Sequence, residues 1–203
     1  MDFYTLNAQA LIAQYQSLNP EQVHSAWLKY LPEIKPNTSD SAHYHALDIG
    51  AGAGRDTHWL AQKGWQVNAI EPNDSLRQSI PKHANINTHS DTLPLLSTIA
   101  DKPTYQLILV SAVWMHLTPL QQAQSLQRLE SLLSPQGLLV ITWRNQAYEK
   151  SRQFETVDES LFHELPNTEA QIISSEDEGG REGVVWKCAV LQSKDVNSAE
   201  KSV

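Results

Sequence analysis

Residues 47–56, Leu47-Asp48-Ile49-Gly50-Ala51-Gly52-Ala53-Gly54-Arg55-Asp56, constrain the fold of this chain more than any other stretch. Ala46–Ile49 is a short apolar strand, three glycines follow at alternate positions, and a helical pattern runs over about 55–63 until Gly64 stops it. A strand that passes through a glycine turn straight into a helix is the opening unit of a parallel α/β sheet. Glycines there adopt backbone conformations closed to other residues and let a ligand approach the main chain. The helix start beside them adds polarised N–H groups.

The rhythm continues downstream. Trp65–Ile70 is a second strand closed by Glu71-Pro72, a helix is expected over about 74–80, and Asn85–Thr88 is a weaker third strand. Tyr105–Val113 (YQLILVSAV) is almost continuously apolar, as a strand covered by helices on both faces must be. Thr118-Pro119 starts a helix whose Leu126, Leu129 and Leu133 share a face, Ser134-Pro135 ends it, and Leu138–Trp143 is a fifth strand. Ahead of this core, Tyr4, Ala8, Leu11, Ile12, Tyr15 and Leu18 mark a first helix. Asn19-Pro20-Glu21-Gln22 carries the start signals of a second, including a glutamine placed for a capping box, and that helix is expected to run to Pro32. Behind the core, a short helix is expected around Leu161–Leu165. Ile172–Ser174 and Val184–Leu191, separated by the acidic turn EDEGGREG, read as strands that pair antiparallel.

Length and charge narrow the function classes. At 203 residues the chain suits one domain, expected over 1–192 with a helical cap at 1–32, a core at 45–145, C-terminal strands within 146–192 and a disordered tail at 193–203. Fifteen basic against 23 acidic residues give a net charge of −8, with Lys and Arg scattered, which disfavours a nucleic-acid partner. No apolar run approaches the roughly 20 residues of a membrane span, and the first residues lack a signal-peptide pattern. The single cysteine, Cys188, forms no disulfide framework, so a reducing cytoplasm is the expected setting. No metal site is expected: His43 and His45, around Tyr44, alternate across a strand instead of converging.

Glu71 stands 21 positions after Gly50, at the carboxyl end of the second strand, where a carboxylate can take both hydroxyls of a ribose. A dinucleotide fingerprint, Gly-x-Gly-x-x-Gly, would need its third glycine at position 55, which is Arg55. Gly50-x-Gly52-x-Gly54 behind Asp48 instead resembles the first motif of class I S-adenosylmethionine-dependent methyltransferases of the small-molecule type. VSAVWMHL (110–117) resembles that family's fourth-strand motif and LLSPQGLLVITW (132–143) its helix–turn–strand segment, so the likeness covers about 45–145. The resemblance implies a doubly wound, mostly parallel seven-stranded sheet with an antiparallel last strand, S-adenosyl-L-methionine as cofactor, and methyl transfer. It places Asp48, Gly50, Gly52 and Gly54 at the methionine end, Glu71 at the ribose and Asp91 at the adenine amino group, with Ala51, Arg55, Pro72 and Thr92 as further cofactor-binding residues. Ser111 and Ala112 fall where the fourth strand faces the reacting methyl.

The acceptor is less legible. Methyl transfer from a sulfonium is an in-line displacement that positioning can largely drive, and a base helps only where the acceptor carries a proton. His116 is the base candidate by position, its alternative role being a hydrogen bond to the backbone. Trp114, Trp143, Arg144 and Tyr148 are candidate walls of the acceptor pocket, the alternative for the tryptophans being core packing. Arg55 and Asp56 either orient the glycine loop or solvate the helix start. The absence of an Asp/Asn-Pro-Pro-Tyr/Phe tetrapeptide after the fourth strand favours a small-molecule acceptor over a nucleic-acid base. Two rival functions remain: a non-catalytic cofactor-binding partner subunit, and a nucleotide-linked oxidoreductase, against which the glycine spacing argues.

Overall fold

The computed structural model describes residues 3–32, 44–102, 104–144, 154–176 and 184–194. Seven strands form one sheet: β1 (His45–Ile49), β2 (Gln66–Ile70), β3 (Ile86–His89), β4 (Tyr105–Ser111), β5 (Leu133–Arg144), β6 (Thr168–Glu176) and β7 (Val185–Ser193). Their order is β3-β2-β1-β4-β5-β7-β6. The pairs among the first five are parallel. β7 inserts antiparallel between β5 and β6, which is the expected reversal.

Among the described residues six α-helices accompany the sheet: α1 (Phe3–Leu6), α2 (Ala8–Ser17), α3 (Pro20–Val23), α4 (Arg55–Gln62), α5 (Asp74–Ser79) and α6 (Pro119–Leu132). Side chains alternate across the strands into two cores. On one face Leu47, Ile49, Ile108, Val110, Leu139 and Ile141 meet Leu126, Leu129 and Leu132 of α6. On the other, Ala46, Val67, Leu107, Leu109 and Val140 meet Trp59 and Leu60 of α4 with Trp27 and Trp65. Burial on both faces explains the continuous apolar run of β4. A third, small cluster of Ala8, Leu11 and Leu76 seats α2 on α5.

Several boundaries depart from expectation. The expected first helix is interrupted at Asn7, and the second stops at Val23, resuming only as a 3-10 turn over Leu28–Tyr30. His24 leaves helical geometry (φ −103°, ψ 9°), and its ring packs 4.9 Å from that of Trp27, so burying two rings outweighs another helical turn. Asn19 caps α3 through the Glu21 N–H; the complete capping box is at α6, where Thr118 and Gln121 exchange bonds. β4 ends at Ser111 because Ala112 takes a left-handed φ of 58°. β5 begins at Leu133, ahead of the expected Leu138, because Leu133 pairs with Tyr105 before the register shifts. The two C-terminal strands are each longer than expected, the short helix is a 3-10 turn over Glu159–His163, and most of the acidic turn lies outside the described residues, as do 195–203 of the expected tail.

Candidate active site

The strand order reverses between β1 and β4, and in open α/β sheets the crevice at the carboxyl ends there is where ligands bind. A cavity of about 550 Å³ occupies that place. Its floor is the glycine turn, held down by the Gly50 and Ala51 N–H groups donating to Ile70 O at 2.8 and 3.0 Å. Gly50 (φ 71°) could not be replaced here: a Cβ would stand 2.2 Å from Val113 Cγ2. Gly54 (φ 82°) is backed by Ile80, with a Cβ falling 3.1 Å from its Cα, so the turn is wedged between β4 and the end of α5.

Most of the expected cofactor residues converge. Gly50, Ala51, Gly52 and Arg55 line one end; Glu71, Pro72, Asp91 and Thr92 line the other; Ser111 and Ala112 lie between. Glu71 is 6% exposed and accepts from Gly52 N–H through Oε2 at 2.9 Å and from Asn73 N–H through Oε1 at 2.8 Å. Burial raises its pKa against those two bonds. Each oxygen keeps a lone pair for a further donor. Asp91 accepts from Thr92 N–H and from both the N–H and the hydroxyl of Thr98; burial raises its pKa, but these bonds together override it and hold the carboxyl below the usual range.

Two expected residues stand behind the wall. Gly54 caps α4, and Asp48 is 1% exposed, accepting the Thr57 hydroxyl at 2.5 Å. Burial, then the nearby Asp56, pushes the Asp48 carboxyl up to about 7. The linkage sign follows: from about pH 4 to 7 the folded chain holds a proton that the unfolded chain has released, so this group's contribution to stability falls as pH rises through that window. Asp48→Asn, which mimics the protonated form, is therefore expected to gain in thermal stability over the wild type as pH rises from 4.5 to 7.5. Parallel melting curves across that range would refute the raised pKa.

The expected acceptor walls need correction. Trp114 is fully buried and 5.9 Å from the Phe162 ring; Trp143 is 3% exposed and 5.3 Å from the same ring. Both are core residues because their side chains fall on the α6 face of the sheet. Arg144 is 4% exposed with its guanidinium over the Phe154 ring, away from the cavity lining. Tyr148 lies outside the described residues, as does His43. His116 does line the cavity, its Nε2 3.0 Å from the Tyr4 hydroxyl and its ring edge-on to Phe154. Tyr4, Tyr15, Asn73 and Gln121 also line it and were not anticipated. The available signal was the spacing of Tyr4 and Tyr15, three helical turns apart on one face.

Arg55 and Asp56 pair with each other and with His24 rather than merely solvating the helix start. Arg55 donates through Nε and Nη2 to the two Asp56 oxygens at 2.7 Å each, and His24 Nε2 stands 2.8 Å from Asp56 Oδ1. Burial raises the Asp56 pKa, but His24 and Arg55 override it and hold the carboxyl far below the usual range.

A profile of the methyltransferase domain matches residues 17–177, which carry strands β1 to β6 and most of the lining of this cavity. The chain belongs to the methyltransferase-domain family. An uncharacterized methyltransferase of Alkaliphilus oremlandii is 29% identical over 124 residues, 59% of this chain and 55% of that protein. The chain spans about half the length of the curated relatives it matches. Among solved structures, the N-methyltransferase NodS of Bradyrhizobium japonicum, in complex with S-adenosyl-L-homocysteine, superposes with a TM-score of 0.66 at 17% identity, covering 95% of this chain and 99% of that one. A SAM-dependent methyltransferase of Archaeoglobus fulgidus gives a TM-score of 0.66 at 14% identity, covering 95% and 100%. At these identities the likeness is one of fold, and the fold is the Rossmann-like methyltransferase sheet with its inserted antiparallel strand.

Proposed function

We propose that this methyltransferase domain binds S-adenosyl-L-methionine in the cavity at the β1/β4 switch point and transfers its methyl group to a small-molecule acceptor. The observation that carries the reading is Glu71, buried at the end of β2, tethered to the glycine turn and still able to accept from two hydroxyls. The adenine would lie against Asp91, Thr92 and Leu76, and the methionyl group against Gly50, Gly52 and Arg55. The cofactor supplies an electrophilic methyl; the chain's own residues orient it and exclude water. The acceptor enters beside Tyr4, His116 and Leu117, where His116 takes a proton when the acceptor atom carries one. The volume suits a cofactor with a small partner, and the net charge of −8 weighs against a nucleic-acid acceptor. The lone, buried Cys188 fits a cytoplasmic setting.

Calorimetric titration with S-adenosylmethionine and S-adenosylhomocysteine tests the first half, with micromolar binding expected. Release of S-adenosylhomocysteine in the presence of small amines, phenols and thiols tests the second. His116→Ala is expected to lower turnover of an amine or phenol by about 10²–10⁴-fold. Binding without turnover on any acceptor would favour the partner-subunit reading.

A further inference from the structure

Of the described residues that line the cavity, Arg55 alone carries a fixed positive charge. Its guanidinium is not a loose surface group. One edge, Nε with Nη2, is locked bidentate on Asp56, while Nη1 makes no hydrogen bond among the described residues. A guanidinium has five N–H donors in a rigid plane, so fixing one edge fixes the direction of the other. Asp56 is itself held: it is 5% exposed, and His24, fully buried, faces its Oδ1 through Nε2 at 2.8 Å. The His24 ring is set in turn by Trp27, whose Nε1–H donates to Nδ1 at 3.1 Å. An indole N–H can only donate, so Nδ1 accepts it and Nε2 is the nitrogen left to face Asp56. A relay therefore runs from the segment after α3, through Trp27, His24 and Asp56, to a preset donor edge beside the glycine turn.

The proposed cofactor carries one anionic group, the carboxylate of its methionyl moiety, and a planar carboxylate is the natural complement of a free guanidinium edge. We infer that Arg55 is the specificity residue for that carboxylate, and that His24 is a positioning residue that aims it through Asp56. The inference rests on the cofactor reading above, which places the methionyl group at the glycine turn.

The test compares two ligands by calorimetry: S-adenosylhomocysteine, and 5′-methylthioadenosine, which keeps the nucleoside and lacks the amino acid. Arg55→Ala is expected to weaken the first by about 10–100-fold and leave the second within about twofold, as loss of a charge-assisted hydrogen bond would. Arg55→Lys, which keeps the charge without the fork, is expected to fall between. His24→Leu is expected to reduce the preference between the ligands several-fold, and His24→Gln, which restores an N–H toward Asp56, to recover it. A purely structural role would weaken both ligands in parallel, and that result, or unchanged S-adenosylhomocysteine affinity in Arg55→Ala, overturns the inference alone. Failure of the wild type to bind either ligand would instead bring down the cofactor reading and the inference with it.

Discussion

Glu71→Ala is expected to weaken S-adenosylhomocysteine by at least about 100-fold. The carboxylate stands at the end of β2, where a parallel strand delivers it to the crevice, and it bonds the backbone of both Gly52 and Asn73. The substitution removes the acceptor for two ribose hydroxyls and unties the turn that forms the floor. Hydrogen bonds to charged groups contribute about 1.5–3 kcal/mol each, so losing two corresponds to about 3–6 kcal/mol, or about two to four orders of magnitude in affinity. Glu71→Gln separates the two effects. Its amide keeps one acceptor oxygen and turns the other position into a donor that faces a backbone N–H, so one tether must break. Its affinity should fall between those of wild type and Glu71→Ala. Titration of all three proteins, with melting curves to show that they are folded, checks this; Glu71→Ala binding within about threefold of wild type would remove Glu71 from the ribose site.

Trp114→Ala is expected to destabilise the fold by about 3–5 kcal/mol, the usual cost of deleting a large buried aromatic side chain. For a chain of this size that corresponds to a fall in melting temperature of about 6–20 °C. Trp114 is fully buried against Phe162, within the cluster that joins β4, β5 and α6. Its indole N–H has no hydrogen-bond partner among the described residues, so Trp114→Phe gives up packing volume but no polar contact and should cost much less. A role as a wall of the acceptor pocket predicts the reverse: unchanged melting and a selective loss of turnover. The melting temperatures of the two variants decide between these.

The cofactor side of the cavity was legible because its determinants are local. The alternate glycines, the strand before them and the helix after them lie within ten consecutive residues, and Glu71 follows at a spacing set by one strand–helix–strand unit. The acceptor side was not. Trp114, Trp143 and Arg144 stand where the fourth and fifth strands meet the crevice, but which face a side chain takes depends on the pleat and on what covers it. For Trp143 the alternation with Ile141, another residue of the same buried cluster, was a readable signal. Tyr4 and Tyr15 reach the cavity only because α2 seats on α5 through Ala8, Leu11 and Leu76, a contact no local pattern announces. The 112-residue separation of Tyr4 from His116 makes the same point.

By itself, then, the sequence determined the alternating α/β class, the parallel core with its reversed last strand, the glycine turn and the acid that serves it. Those follow from hydrophobic periodicity and backbone freedom, which act over a few residues at a time. The tertiary structure alone decided where β5 begins, which histidine faces the cavity and which supports it, and that Arg55 is held by Asp56 and His24. Each of these depends on a register or a close packing between distant segments, and such contacts form only when burying the rings of Trp27, Trp114 and Phe162 outweighs the local preference of the chain around them.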